Sequence, residues 1–242
     1  MFIDSYAEFA KCFDMKALYR FGLEHTIFVT PEEAKAQTAK IWEAWDNDDS
    51  PAIRRSKRSC YFEHFYAHGC QKHVAVKENN VPFRENLRKS LGFKSGEIKN
   101  FQCTHVFGRI SNPILAGSVW NMAFSPNVVA AMTDDDNMGV EHFAEDYHAL
   151  FMGVVWKLYK EIIKEYEIRA SAVLQSVQPQ GYDELTKEAA KKEWLIPNEK
   201  DVLAKYEVLC RDNGFGPDFK CELVTLDGRE TNAIRIRFKG EK

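Results

Sequence analysis

Hydrophobic residues recur at helical spacing in several parts of the chain. The clearest helix start is Thr30, which can cap a helix whose first residue is Pro31 and whose Glu33 stands at the capping-box position. That helix is expected to end near Asp46, because a polar stretch leading to Pro51 follows it. Apolar spacing predicts further helices over residues 59–68, 80–92, 140–171, 182–194 and 198–211.

Two segments near the middle of the chain are rich in residues that favour strands. Residues 101–107 predict one strand and residues 118–124 a second, with a turn or loop between them around Ser111-Asn112-Pro113. Pro126 follows the second strand, and residues 127–132 predict a short helix. The order strand, loop, strand, helix is the most distinctive local pattern in the chain.

The C-terminal part of the chain has the alternation typical of strands. Residues 221–225 and 233–238 alternate apolar and polar positions, and Asp227-Gly228 lies between them, which predicts a β-hairpin. Together these patterns predict an α+β fold that is mainly helical. The strand–loop–strand–helix element is embedded among the helices, and the hairpin ends the chain.

Charge is distributed unevenly along the chain. The 242 residues are 45% hydrophobic, enough for a sizeable core, and carry a net charge of −3. Residues 51–100, however, contain 11 Lys and Arg against four acidic residues, and a basic region of this kind suits phosphate contact. We therefore expect nucleic-acid binding at the basic run, with a localisation signal or a solvated turn as alternatives. The run consists of Arg54, Arg55, Lys57 and Arg58.

The sequence also bears on location. No apolar run approaches the length needed to span a bilayer, and the first residues place acids and lysines inside the apolar pattern, unlike a secretory signal. We expect a cytoplasmic protein with no membrane partner. The six dispersed cysteines are then free thiols or metal ligands rather than disulfides.

Candidate chemistry lies in the strand–loop–strand–helix element. Its first strand continues through Cys103-Thr104-His105-Val106-Phe107-Gly108-Arg109, and its second part reads Trp120-Asn121-Met122-Ala123-Phe124-Ser125-Pro126-Asn127. This element resembles the ββα-metal core of HNH-type nucleases in its single-histidine form. In that family the first-strand histidine takes a proton from the water that attacks the phosphate, while a divalent metal binds the scissile phosphate.

The resemblance implies a role for each matching residue. His105 would be the general base, and Asn121, sixteen residues later, would bind the metal or hold the loop that carries the base. Asn127, at the start of the predicted helix, is a second candidate metal ligand, and Arg109 would stabilise the phosphate or leaving group. The implied cofactor is Mg²⁺ or Mn²⁺, because an amide oxygen is a hard ligand.

Two positions depart from the family pattern. Thr104 stands where many members have a metal-binding Asp, and Val129 and Ala130 stand where the closing histidine is expected. His142 and His148 come later and would need a different backbone path. A purely structural histidine in a strand therefore stays open as the alternative for His105.

A second cluster of metal-binding residue types lies in the basic region. Its four members could form a mixed zinc site, but their spacing lacks the close cysteine pair of common zinc modules. An aromatic-rich helix with incidental histidines is the favoured interpretation. The four residues are Cys60, His64, Cys70 and His73.

The leading hypothesis is a metal-dependent endonuclease that cleaves double-stranded DNA, of the restriction or defence type, acting as a homodimer. A catalytically inactive nucleic-acid-binding protein and a zinc-stabilised interaction protein are the alternatives. We expect residues 1–100 to be a helical, basic, DNA-contacting region. Residues 101–135 would be the ββα-metal catalytic element, and residues 136–242 the long helix, further helices and hairpin of the same compact domain.

Overall fold

The computed structural model describes residues 14–47, 81–108, 112–133, 143–176, 192 and 194–239. Within these residues the helices are α1 (Met15–His25), α2 (Pro31–Asn47), α3 (Val81–Ser90), α4 (Pro113–Gly117), α5 (Asn127–Thr133), α6 (Phe143–Ser176) and α7 (Glu199–Asp212). A 3₁₀ turn spans Val119–Asn121. The strands are β1 (Phe28–Val29), β2 (Phe101–His105), β3 (Met122–Pro126), β4 (Phe219–Leu226) and β5 (Arg229–Phe238).

Two antiparallel sheets in the described residues are joined by the short segment at β1. β2 pairs with β3 in one sheet, and in the other β5 pairs with β1 on one side and β4 on the other. Ile27, just before β1, exchanges two backbone hydrogen bonds of 2.9 and 3.0 Å with Phe124 of β3. The strand order across both sheets is therefore β2, β3, β1, β5, β4. This arrangement confirms the predicted α+β fold with a C-terminal hairpin.

The long helix α6 lies in the centre of the hydrophobic core. Phe151 of α6 meets Phe28 of β1 edge to face, with ring centroids 5.7 Å apart. Tyr159 has non-helical dihedral angles (φ −123°, ψ 25°) inside α6, and its hydroxyl donates a 2.6 Å hydrogen bond to the carbonyl of Val29. Within the described residues, no helix is both long and apolar enough to cross a membrane.

Most helices in the described residues follow the local signals of the sequence. The hydroxyl of Thr30 accepts a 3.4 Å hydrogen bond from the backbone N–H of Glu33, which caps α2 as predicted. The predicted helices over 80–92, 140–171 and 198–211 are confirmed as α3, α6 and α7, with shifted ends. The helix expected over 59–68, and nearly all of the one over 182–194, lie outside the described residues.

Helix α1 is an element that the sequence analysis did not include. Its signal is nevertheless local, because the side chain of Asp14 accepts a 3.0 Å hydrogen bond from the backbone N–H of Lys16. Leu18, Tyr19 and Leu23 then follow at helical spacing and are buried.

The second strand of the central element begins later than predicted. Residues 118–121 do not extend β3, because the Ser118 hydroxyl donates a 2.6 Å hydrogen bond back to the Ile114 carbonyl and a 3₁₀ turn follows. The expected loop contains helix α4 instead. The side chain of Asn112 caps α4 by accepting hydrogen bonds from the N–H groups of Ile114 and Leu115.

The turn of the C-terminal hairpin yields a stability prediction. Asp227 and Gly228 both have positive φ, 49° and 75°, as the tight turn between twisted strands requires. Gly228→Ala should lower the free energy of unfolding by about 1–2 kcal/mol, because a Cβ is strained in this region. Asp227→Asn should change it by less than about 0.5 kcal/mol, since Asn tolerates positive φ. Equal denaturation midpoints for the two variants would contradict this account.

Candidate functional site around His105

His105 is the last residue of β2 and pairs with Met122 of β3. Its ring Nε2 lies 3.2 Å from the carbonyl oxygen of Ala116 in α4. A carbonyl oxygen can only accept, so Nε2 carries the proton and donates it. The ring also meets the edge of Phe83 from α3, with centroids 5.3 Å apart and planes at 87°. These contacts hold the imidazole in one orientation.

The surroundings of His105 favour the neutral imidazole. Burial lowers its pKa below the ordinary value, and the hydrogen bond to Ala116 acts in the opposite direction with a smaller effect. Because Nε2 is protonated, the lone pair of the neutral ring is on Nδ1. Among the described residues, no side chain or backbone group bonds to Nδ1. The side chain is partly exposed. His105 therefore combines a neutral ring with an Nδ1 lone pair that no described residue engages, which are the properties that a general base needs.

Asn121 holds the chain segments on either side of His105. Its Oδ1 accepts a 2.9 Å hydrogen bond from the N–H of Phe107, and its Nδ2 donates a 3.0 Å bond to the carbonyl of Leu115. A longer contact of 3.4 Å joins Nδ2 to the Gly108 carbonyl. The Asn121 backbone carbonyl also accepts a 2.8 Å bond from the N–H of Val106. This one residue therefore ties the end of β2 to α4.

The position of Asn121 distinguishes between its two predicted roles, which are to bind a metal or to hold the loop that carries the base. The side chain is completely buried and its oxygen is already engaged, so the amide does not face a metal ion. Asn121 also ends the 3₁₀ turn rather than lying within the second strand. The metal-ligand prediction is corrected accordingly, and the loop-holding role is the one that its contacts fit.

Asn127, unlike Asn121, is exposed to solvent, but it lies far from His105. β2 and β3 are antiparallel, with His105 opposite Met122 and Phe101 opposite Pro126, so Asn127 is beyond the other end of the ladder. Five residues of extended chain separate Met122 from Asn127, which is roughly 16 Å. Its backbone N–H donates a 3.0 Å bond to Asn100. The prediction that Asn127 binds a metal beside His105 is corrected by this register.

The described residues around His105 do not include a cluster of the side chains that usually bind metals. No group of three or more His, Cys, Asp or Glu in that part of the chain could hold a metal ion. Thr104 does not substitute for the missing carboxylate, because adjacent strand residues point to opposite faces and Thr104 faces away from His105. Its hydroxyl is buried and has no hydrogen-bond partner among the described residues. These residues therefore supply no carboxylate beside His105, and the Mg²⁺ or Mn²⁺ cofactor stays a prediction.

His148 is a neighbour of the site that sequence reasoning placed elsewhere. It lies on the exposed side of α6, and its Nε2 donates a 2.5 Å hydrogen bond to the carbonyl of Val106. Residue 106 directly follows His105, so α6 reaches the end of β2 across 42 positions of sequence. Only the packing of α6 against the central element brings His148 there.

Several predicted site residues lie outside the described residues, including Arg109 of the candidate catalytic set. The basic run and the cysteine–histidine cluster do so as well. These residues are Arg54, Arg55, Lys57, Arg58, Cys60, His64, Cys70 and His73.

The role of Asn121 can be tested by thermodynamic stability. Asn121→Ala removes the partner of the Phe107 N–H and one of two donors to the Leu115 carbonyl, which keeps the Ser118 N–H. We expect the free energy of unfolding to fall by about 1–3 kcal/mol, since a buried N–H is left unsatisfied. Asn127→Ala removes an exposed amide and should cost less than about 0.5 kcal/mol. Chemical denaturation of both variants measures this, and similar losses would refute the holding role.

The chain was compared with known proteins. A family model described as "Uncharacterised protein PM1201" matches residues 29–211. The chain is also 27% identical over 181 residues to "Uncharacterized protein PM1201" of Pasteurella multocida (strain Pm70), covering 67% of this chain and 77% of that protein. No solved structure matches. The matched residues include the whole β2–α5 element, so the candidate site lies in the shared region.

Proposed function

The chain belongs to the family described as "Uncharacterised protein PM1201", and we propose that it is a nuclease that uses His105 to hydrolyse DNA phosphodiester bonds. One observation carries the proposal. His105 is the last residue of the first strand of a strand–loop–strand–helix element. Its Nε2 donates a hydrogen bond to the Ala116 carbonyl, and no described residue binds the lone pair on Nδ1. That is the environment of a fixed, neutral general base.

The chemistry assigned to the chain is a single hydrolytic step. Nδ1 of His105 takes a proton from water while the water oxygen forms a bond to phosphorus. The phosphorus–oxygen bond to the leaving strand breaks, and the leaving oxygen is protonated by solvent. Asn121 and His148 hold the backbone on the C-terminal side of His105 through Phe107 and Val106, and so orient the base without touching substrate.

Other parts of the proposal rest on the resemblance and on charge rather than on this geometry. They are a double-stranded substrate contacted by the basic run, a homodimer that cuts both strands, a role in restriction or defence, and a cytoplasmic location. Arg109 would stabilise the phosphate. The resemblance also implies Mg²⁺ or Mn²⁺, which would bind the scissile phosphate, whereas the proton transfer to His105 involves only this chain and water.

A nucleic-acid-binding protein without cleavage is the second candidate. The observation that favours it is the burial of the histidine environment. The His105 ring packs against Phe83 and the neighbouring Thr104 hydroxyl points away from it, so the element can be explained as a structural unit.

One assay distinguishes the candidates. Purified protein is incubated with supercoiled plasmid in Mg²⁺, in Mn²⁺ and in EDTA, and binding to the same DNA is measured in parallel. Nicked or linear product from the wild type, absent in His105→Ala, supports the nuclease and excludes a contaminating enzyme. Binding without product supports the second candidate. If neither binding nor product is seen, both proposals fail, and one zinc per chain by elemental analysis would favour the zinc-stabilised alternative.

A further inference from the structure

Arg235 of β5 is a half-buried guanidinium with no ionic partner among the described residues. Its Nε is covered by protein and makes no hydrogen bond to any described residue. A charge withdrawn from water is normally compensated by an opposite charge or by hydrogen bonds. An arginine held in this state is therefore a candidate for binding an anion that comes from outside the chain.

The acid opposite Arg235 in the β4–β5 ladder is already engaged. Glu222 of β4 pairs directly across the ladder with Arg235, yet its carboxylate contacts Lys220 at 2.9 Å and Arg237 at 3.2 Å. Arg237 also contacts Glu24 of α1 at 3.2 Å, and Glu24 contacts Arg20 at the same distance. Both carboxylates near Arg235 are thus shared among other cations.

The C-terminal end of α1 packs against the part of β5 that carries Arg235. Glu24 contacts Arg237 at 3.2 Å and accepts a 3.0 Å hydrogen bond from the N–H of Phe238. His25 follows Glu24, and the positive charge of Arg235 helps burial to lower its pKa. The ring of Phe21 lies 4.6 Å from the ring of His25, and 41% of Phe21 is exposed to solvent. A cation and an accessible aromatic side chain on neighbouring elements are the groups that hold a nucleotide unit of a single strand.

We propose that Arg235, His25 and Phe21 form a phosphate-binding site for a nucleic-acid strand, with Arg235 on the phosphate and Phe21 against a base. The identification of the strand as DNA rests on the proposed function, whereas the phosphate site does not. The site is separate from His105. β3 and β1 lie between β2 and β5, so the two strands are three spacings apart, or roughly 14 Å.

Arg235→Met tests the site, because Met keeps an apolar stem and removes the charge. Arg211→Met is the matched control: it makes the same change in net charge at a side chain on α7 that is 72% exposed. A fluorescent single-stranded oligonucleotide is titrated in EDTA at several salt concentrations. We expect Arg235→Met to weaken binding at least fivefold and to reduce the salt slope by about one, while Arg211→Met behaves like wild type.

Thermal unfolding separates binding from a structural role. In chloride, Arg235→Met should unfold at the wild-type temperature or higher, since an uncompensated half-buried charge is removed. Inorganic pyrophosphate at matched ionic strength should stabilise the wild type and not the variant. A variant destabilised in chloride, or one that binds both probes like wild type, overturns the site.

The outcomes also separate the two proposals. Oligonucleotide binding that depends on Arg235, without any DNA cleavage, leaves the phosphate site standing and refutes the nuclease. Stabilisation by pyrophosphate without oligonucleotide binding overturns the assignment to a nucleic-acid strand and identifies a free phosphate compound as the ligand class.

Discussion

His105→Ala is expected to reduce the rate of DNA cleavage by about 10²- to 10⁴-fold, the usual contribution of a general base. The substitution removes the Nδ1 lone pair proposed to accept the proton of the attacking water. It also removes the contact with Phe83 and the hydrogen bond to Ala116, so some loss of stability is expected. Cleavage rates must therefore be measured at a temperature where unfolding curves show both proteins to be folded.

The pH dependence of the wild-type rate provides an independent readout. Burial lowers the pKa of His105 from its ordinary value of 6.5, so the base stays neutral at neutral pH. The rate should be level above pH 6.5 and fall only at lower pH. The free energy of unfolding should depend on pH in the same direction. The unfolded chain takes up a proton on His105 at higher pH than the folded chain does, because burial lowers the pKa only in the folded state. This contribution to stability is present above pH 6.5 and lost as pH falls through the folded pKa.

Cys103→Ala is the control for His105. Cys103 is buried on the same face of β2, two residues before the histidine, so its truncation disturbs the strand without touching the imidazole. It should keep cleavage within a few-fold of wild type. If His105→Ala cuts as fast as Cys103→Ala, His105 is structural and the proposed mechanism is wrong.

Gly153→Ala is expected to be the most destabilising single substitution considered, at about 3 kcal/mol or more. Gly153 lies within α6, where alanine would ordinarily be favoured over glycine by about 1 kcal/mol. A Cβ at this position, however, would lie 2.3 Å from Cγ and 2.5 Å from Cβ of Tyr206 in α7. Tyr206 is fully buried, so the ring cannot move aside without separating α6 from α7.

Gly117→Ala and a double variant test this explanation. The nearest atom to a Cβ at Gly117 is Cδ1 of Ile41 at 3.9 Å, so Gly117→Ala should be neutral or stabilising. In a Tyr206→Gly background the added cost of Gly153→Ala should disappear, because both the ring and the Cβ of residue 206 that would clash are gone. Thermal and urea unfolding measure the four variants and the wild type. A persistent cost in that background would show that the side chain of Tyr206 is not its cause.

Several elements could be predicted because their causes are local. The Thr30 cap, the Asn198 cap of α7 and the Asp227-Gly228 turn each involve residues within a few positions of one another. The start of β3 could not be predicted in this way. α4 has a local cap, since Asn112 accepts hydrogen bonds from Ile114 and Leu115, but Asn112 is also held from the other side by the hydroxyl of Tyr166, 54 positions away.

The candidate site also has some features with local causes and others with tertiary causes. By itself, the sequence predicted that His105 lies late in a strand of a strand–loop–strand–helix element and that Asn121 and Asn127 follow it at suitable intervals. Only the tertiary structure decided that Asn121 is buried against Phe107 and Leu115, that Asn127 lies beyond the far end of the ladder, and that His148 reaches Val106. The reason is physical: sequence spacing sets which residues share an element, whereas the partners of a side chain are set by strand register and by elements that meet only when the chain folds.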